Sequence, residues 1–267
     1  MTILTHVRPH IDDICGLWLL AKYAPEYKGA DFAYVPSSEA PAWLTAHPDA
    51  VAVGTGRGRF DEHKGDVGKC ATSLVWEYVQ GFVKDPVEKQ AVTRMVAWVL
   101  EVDTGRLNVV EGREFMIPVI LLGAYSYFGE DSDALRQFGF TMLEGLLVTQ
   151  KNKVQLEHDW VERIPFTSRF GPAVAFVTSA EDPDNFAYAE GYDVVVTINR
   201  ERTYFNIRAR ATAPVDLTSV YEELRRRDAE AEWFFHHSKH MLICGGYLAP
   251  QARLSGLKLE EFVEILK

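Results

Sequence analysis

Apolar and polar positions alternate along the chain with two different periods. Ile3 to Val7 is a short β-rich run. Asp12-Asp13, good helix N-cap residues, follow it, and Ile14, Leu17, Trp18 and Ala21 then recur at helical spacing until Pro25. Asp31 to Val35 reads as a second strand. Val51-Ala52-Val53 reads as a third, buried strand that stops at Gly54-Thr55-Gly56. Residues 71–83 read as a helix with Leu74, Val75 and Tyr78 on one face. Another helix starts near Pro86, a favourable first-turn residue, and carries Val92, Met95, Val96, Val99 and Leu100. Such β-α-β alternation predicts a parallel sheet with helices on both sides.

From Asp133 to about Ile164 the only turn signals are Gly139 and Gly145. Leu135, Phe138, Met142, Leu146, Val154 and Trp160 predict one long helix or two stacked ones. After Pro165 and Gly171-Pro172 the strand pattern restarts, with expected strands at 173–178, 193–198 and 204–209. Asp216 caps a helix through Leu217, Val220, Tyr221 and Leu224, and an amphipathic helix runs from Leu259 to Leu266. The expected organisation is α/β in two domains: a parallel-sheet domain over 1–130, a helical connector over 131–168, and a smaller mixed α/β domain over 169–267.

Composition narrows the function classes. The 267 residues are enough for two domains with cores of their own. With 47% hydrophobic and 25% charged residues, a disordered chain is excluded. A formal net charge of −10 argues against coating long double-stranded nucleic acid, since such proteins need a basic surface. It leaves room for a phosphate ester met through bound metal. Cys15, Cys70 and Cys244 are far apart and odd in number, so they read as reduced thiols of a cytoplasmic protein. The N-terminus lacks a signal-peptide pattern. The longest apolar run, Phe115 to Gly123, contains Pro118 and falls short of the ~20 residues of a membrane span.

Three clusters could carry chemistry. They are His6 to Asp13 where a strand gives way to a helix, Phe60-Asp61-Glu62-His63-Lys64-Gly65-Asp66, and Asp103 before Thr104-Gly105 at a helix end. Each has a plain structural reading as well: Asp12 and Asp13 as helix caps, Asp61 to Lys64 as a charged surface turn, Asp103 to Gly105 as a helix stop. Read functionally, they place imidazole and carboxylate at the sheet edge where open α/β folds bind ligands. Mixed His/Asp donors suit Mn²⁺, Fe²⁺ or Zn²⁺ better than Ca²⁺.

Taken in this order, the clusters resemble the DHH phosphoesterase superfamily. His6-x₃-His10-x-Asp12 has the spacing of its first motif, His-x₃-Asp-x-Asp, with His10 at the first Asp. A His there is similar to the metal-dependent hydrolase subgroup that includes the melanocyte-proliferating protein, whose motif is one residue longer. Asp61-Glu62-His63 matches the Asp-His-His signature, with Glu62 for the first His, and Lys64 is the polar residue after it. Ala71-Thr72-Ser73-Leu74-Val75-Trp76-Glu77-Tyr78 is similar to the segment that follows, and Asp103 falls at the last metal-binding Asp. The second motif departs: Gly54 stands where an Asp bridges the metals. Glu62, His10 and Asp13 are the residues that could compensate.

The resemblance implies a metal-dependent phosphoesterase acting on a phosphodiester or phosphomonoester of a nucleotide or short oligonucleotide, in the manner of a 3′–5′ exonuclease. It implies one or two Mn²⁺, with Mg²⁺, Fe²⁺ or Zn²⁺ as substitutes, held by His6, His10, Asp12, Asp61, His63 and Asp103. Glu62 and His63 are the candidate catalytic groups. The C-terminal part is similar to a DHH-associated domain. There Arg208, His236, His237, Lys239, His240, Gly245 and Gly246 would bind the substrate phosphate. The expected partners are a small phosphate ester and, in assembly, a second copy in a homodimer; a membrane is not expected. A catalytically disarmed nucleotide-binding or regulatory protein is the alternative, and Gly54 favours it.

Overall fold

The computed structural model describes residues 1–65, 68–107 and 111–267. Asp66, part of the second sequence cluster, lies outside them. The chain divides into two units, Met1–Lys151 and Asn152–Lys267.

In the first unit β1 (Thr2–His6) is flanked by β2 (Asp31–Val35) and β3 (Val51–Ala52), all parallel, in the order β2-β1-β3. Ile3 and Leu4 of the central strand are fully buried. Helix α1 (Ile11–Tyr23) is buried at every position from Ile11 to Leu20. A helix covered all round must sit inside its unit, and this one packs against α3 (Ala71–Val79). Its burial has a consequence for function. Asp12 and Asp13, in its first turn, are 4% exposed each and must find partners inside the protein.

Helix α2 (Ala40–Ala46) follows β2, and α4 (Pro86–Asp103) starts at the proline, with Asp85 accepting the Val87 amide. The apolar run at 115–123 is the start of α5 (Ile117–Phe128), which Pro118 opens rather than breaks. Helix α6 (Ser132–Asp159) is a single helix of 28 residues, and the division between units falls inside it. Among the described residues no helix is long and apolar enough to cross a membrane.

The second unit is built on a six-stranded mixed sheet. Its strands are β4 (Ile164–Ser168), β5 (Gly171–Val177), β6 (Val194–Ile198), β7 (Tyr204–Ala209), β8 (Trp233–Phe235) and β9 (Met241–Gly245), ordered β4-β5-β6-β7-β9-β8. Only β5 and β6 run parallel, so they need a crossover, which α7 (Pro183–Ala189) supplies. Val194, Val196, Phe205, Ile207 and Leu242 pack with Leu217, Val220 and Leu224 at α8 (Thr218–Arg227) and with Phe262 and Leu266 of α9 (Leu259–Leu266).

Two sequence expectations change here. Ile164–Ser168, read as part of the connector, is the edge strand β4; Pro165 is tolerated because an edge strand has a side without a partner. The stretch 236–246, expected to bind substrate phosphate as one segment, is divided between the turn and the second strand of a hairpin in which β8 and β9 run antiparallel.

Candidate metal centre

Parallel strands deliver their C-terminal ends to one edge, and the first unit gathers its chemistry there. A cavity of about 600 Å³ is lined by His6, Val7, Arg8, His10, Asp12, Asp13, Ser37, Gly54, Glu62, His63 and Asp103. Of the metal and catalytic candidates read from the sequence in this half, all but Asp61 line it. Three sets of donor atoms, each within 4.8 Å of one another, fall here: His6, His10 and Asp13; Asp12, Cys70 and Asp103; Asp61, Glu62 and His63.

His6 ends β1. Its Nδ1 lies 2.8 Å from the Val7 carbonyl, which can only accept, so Nδ1 carries a proton and donates. That leaves Nε2 facing Asp13 Oδ2 at 2.9 Å. Burial works against a charge on His6. The hydrogen bond and the negative charge of Asp13 outweigh it and push the imidazole up to about 9. An imidazole pinned through Nδ1 to a backbone carbonyl is the usual arrangement for ligation through Nε2. His10 is the exposed N-cap of α1, and its ring centroid lies 5.1 Å from that of His6. Its backbone N–H donates to Asp13 Oδ2 at 2.8 Å.

Asp12 has a second task. Its Oδ2 accepts the Ala71 amide and its Oδ1 the Thr72 amide, each at 2.8 Å. A carboxylate on α1 thus caps α3. Burial, then the neighbouring charge of Asp13, raise its carboxyl to about 6. Cys70, the N-cap of α3, joins Asp12 and Asp103 although its sequence context gave no ligand pattern. Burial and the charge of Asp12 hold its thiol well above the ordinary range. Asp103 closes the last turn of α4, and burial followed by the charge of Asp13 raises its carboxyl.

Asp61 does not line the cavity. It is buried and spends its oxygens on the loop: Oδ2 takes the Arg57 amide at 2.6 Å, and Oδ1 takes the amide and Nδ1 of His63 at 2.9 Å each. Asp61 is therefore what sets Glu62 and His63 in place. The hydrogen bond that His63 donates to Asp61 raises the exposed imidazole. Glu62 is pushed up to about 7, first by burial and then by the charge of Asp12. Its Oε2 is buried without a hydrogen-bond partner.

These donors fit a divalent cation. Imidazole and carboxylate converge, burial and then neighbouring negative charge raise several of the carboxyls, and one buried carboxylate oxygen has nothing to bind. Two charged lining residues stand out: one to which the sequence reading assigned no role of its own, and another that it offered only as a substitute for the missing second-motif Asp. The first is Arg8, the only arginine or lysine lining the cavity among the described residues, which stands at φ +53° directly after the strand. The second is Asp13, on the cavity side of the first turn of α1. A left-handed arginine carries no local sequence signal, and two adjacent aspartates differ by ~100° around a helix axis.

The second unit distributes its candidates more widely. Arg208 on β7 pairs through Nη1 with Asp184 Oδ2 at 2.9 Å, and its Nε donates to Asn206 Oδ1 at 3.1 Å. His236, His237, Lys239 and His240 form the exposed β8–β9 turn. Lys239 is paired with Asp216 at 2.8 Å, and His240 Nε2 lies 3.2 Å from the Ala213 carbonyl. Arg208 is in register with Met241, next to this turn, whereas Gly245 is in register with Tyr204. Four residues of strand, ~13 Å, separate the two ends, so the glycines do not join Arg208 in one cradle. Gly246 spends its amide on the Thr203 carbonyl, and a Cβ on Gly245 would lie 2.4 Å from that same oxygen. Close packing against Thr203 and Tyr204 explains both glycines.

No family model and no curated protein matches the chain. Among solved structures, it is similar over 99% of its length to RecJ in complex with Mn²⁺ from Thermus thermophilus, at 12% identity and a TM-score of 0.34. The chain spans about half of that protein, 51%. It is also similar to the DHH domain of a member of a family of ribosomal proteins (11% identity, 85% of that chain, TM-score 0.34). An uncharacterized protein from Helicobacter pylori is similar at 11% identity, 98% of that chain and a TM-score of 0.29. Each covers 99% of this chain.

Proposed function

We propose that the chain is a metal-dependent phosphoesterase that hydrolyses a phosphodiester or phosphomonoester of a nucleotide or short oligonucleotide. One observation carries the reading: residues from three separate segments converge on a single cavity with a buried, partnerless carboxylate oxygen on Glu62. The motif spacing in the sequence supports the same reading.

His6, His10, Asp13, Asp12, Asp103 and the Glu62–His63 pair are the residues that would hold the cation, with Mn²⁺ the first choice. When bound, it would supply Lewis acidity toward a phosphoryl oxygen and lower the pKa of water. Burial and the charge of Asp12 hold the Glu62 carboxyl above the ordinary carboxylate range, which suits it to exchange a proton with water or a leaving alcohol. Asp61 fixes the loop that carries Glu62. Arg8 would present a guanidinium to the phosphate, being the only arginine or lysine that lines the cavity among the described residues. In the second unit Arg208, held by Asp184 and Asn206, is the residue proposed to bind a phosphate group.

The test is Mn²⁺-dependent hydrolysis of bis(p-nitrophenyl) phosphate and of a dinucleotide, with metal content measured alongside. Asp103→Ala and Glu62→Gln should each lose most of the activity while keeping the circular dichroism of the parent. Hydrolysis indifferent to EDTA, or both variants at full rate, would overturn the reading. Metal and nucleotide binding without turnover would instead favour a disarmed binding protein.

A further inference from the structure

We infer that Asp13 supplies the carboxylate that position 54 lacks, and that Gly54 is glycine because the Asp13 carboxylate occupies the space a side chain would need. The inference rests on the metal-centre reading above and names the residue on which that centre turns.

The geometry excludes having both. A Cβ at Gly54 would stand 1.8 Å from Asp13 Oδ1, inside any permissible contact, and 3.0 Å from its Cγ, a tight one. Gly54 follows β3 at φ +66° and donates its amide to the Phe60 carbonyl, so the backbone there cannot swing away without undoing that turn. Asp13 approaches from α1, on the other side. Its side chain is 5% exposed, and both it and Gly54 line the cavity. Among the described residues its hydrogen bonds fall on Oδ2, which takes His6 Nε2 and the His10 amide. Oδ1 is the oxygen set against Gly54. A buried carboxylate pinned through one oxygen beside two imidazoles, with no hydrogen bond on the other among the described residues, is arranged to bind a cation.

Asp12 is the neighbour that motif spacing selects, yet both of its oxygens already hold α3 amides. The division of labour follows from the helix. Residues 12 and 13 diverge by ~100° around α1, so one carboxylate meets α3 while the other meets the end of β3. Glu62 and His10 do not fill this position: the atoms nearest a Cβ at Gly54 belong to Asp13 and Ala71.

The experiment measures Mn²⁺ binding to the full chain by equilibrium dialysis and by the rise in melting temperature with added Mn²⁺, with no substrate present. Asp13→Asn should weaken Mn²⁺ binding about tenfold or more and remove most of the thermal shift. Gly54→Ala removes no donor but sets a methyl group where Oδ1 lies, and should weaken binding comparably. It serves as the second measure if Asp13→Asn does not fold. Parent-like Mn²⁺ affinity in either folded variant overturns the inference while leaving the metal centre standing. A parent protein that binds no Mn²⁺ overturns both.

Discussion

Asp12 and Thr72 lie 60 residues apart and are joined twice. The Thr72 amide donates to Asp12 Oδ1 at 2.8 Å, and the Thr72 hydroxyl donates to the Asp12 carbonyl at 2.7 Å. With the Ala71 amide on Oδ2, this clamp fixes the start of α3 to the start of α1. Asp12→Ala strands two buried amides and should cost about 1–3 kcal/mol. Asp12→Asn keeps one acceptor and should cost less. Urea unfolding of the metal-free protein measures both. Equal midpoints for parent and Asp12→Ala would show that the clamp does not bear on stability. An activity loss in Asp12→Ala therefore has to be separated from an unfolding loss, which is why Asp103→Ala is the cleaner activity test.

Glu62 ties stability to pH in an unusual direction. Its folded carboxyl titrates near 7 against an ordinary 4.5, because burial and nearby carboxylates disfavour the charge. Between those values the folded chain holds a proton that the unfolded chain has released. Stability must then fall as pH rises through that window, the slope following the excess of protons bound by the folded state. Glu62→Gln should flatten the fall. The check is the urea midpoint of EDTA-treated parent and variant at several pH values across the window bounded by those two pKa values. Parallel curves would mean that Glu62 titrates normally.

Much of this layout is legible in the chain, for identifiable reasons. Asp31–Val35 and Leu259–Leu266 match their expected bounds because a turn or a polar boundary flanks each pattern. The site residues from His6 to Asp103 are legible because strand and helix ends in a parallel sheet fall on one edge, whatever the loops between them do. What stays hidden is direction. Spacing cannot say that Asp12 faces α3 and Asp13 the cavity, nor that Asp61 turns back onto its own loop. It cannot place Gly245 of β9 beside Tyr204, at the end of β7 away from Arg208, since only strand register does that. Helices α2 and α7, of seven residues each, are too short to establish a period.

Arg208 should matter to the second unit before it matters to any substrate. Asp184 is 5% exposed, and burial raises its carboxyl even though Arg208 and Asn206 act the other way. Arg208→Ala removes the Nη1 partner at 2.9 Å and leaves a buried carboxylate resting on Asn206 Nδ2 alone among these contacts. A loss of about 1–3 kcal/mol is expected. Removing the stranded carboxylate as well, in Arg208→Ala with Asp184→Ala, should recover part of it. Thermal unfolding of the single and double variants decides the matter, and additive losses would show the two residues to be uncoupled.

Arg8 separates function from stability most cleanly. At φ +53° it occupies a backbone region that glycine enters without penalty, and no ion pair involves its side chain among the described residues. Arg8 nevertheless lines a cavity otherwise furnished with carboxylates and imidazoles. Arg8→Gly should hold or raise the melting temperature, since it relieves a strained conformation and breaks no ion pair. The same variant should raise KM for phosphate esters by about tenfold to a hundredfold, the worth of a charge-assisted hydrogen bond to phosphate. Mn²⁺ binding should be unchanged, because an arginine contributes no ligand. Steady-state kinetics and a melting curve on one preparation check the three statements together. A variant that melts earlier with KM unchanged would make Arg8 a structural residue of the turn after β1 and remove it from the phosphate site.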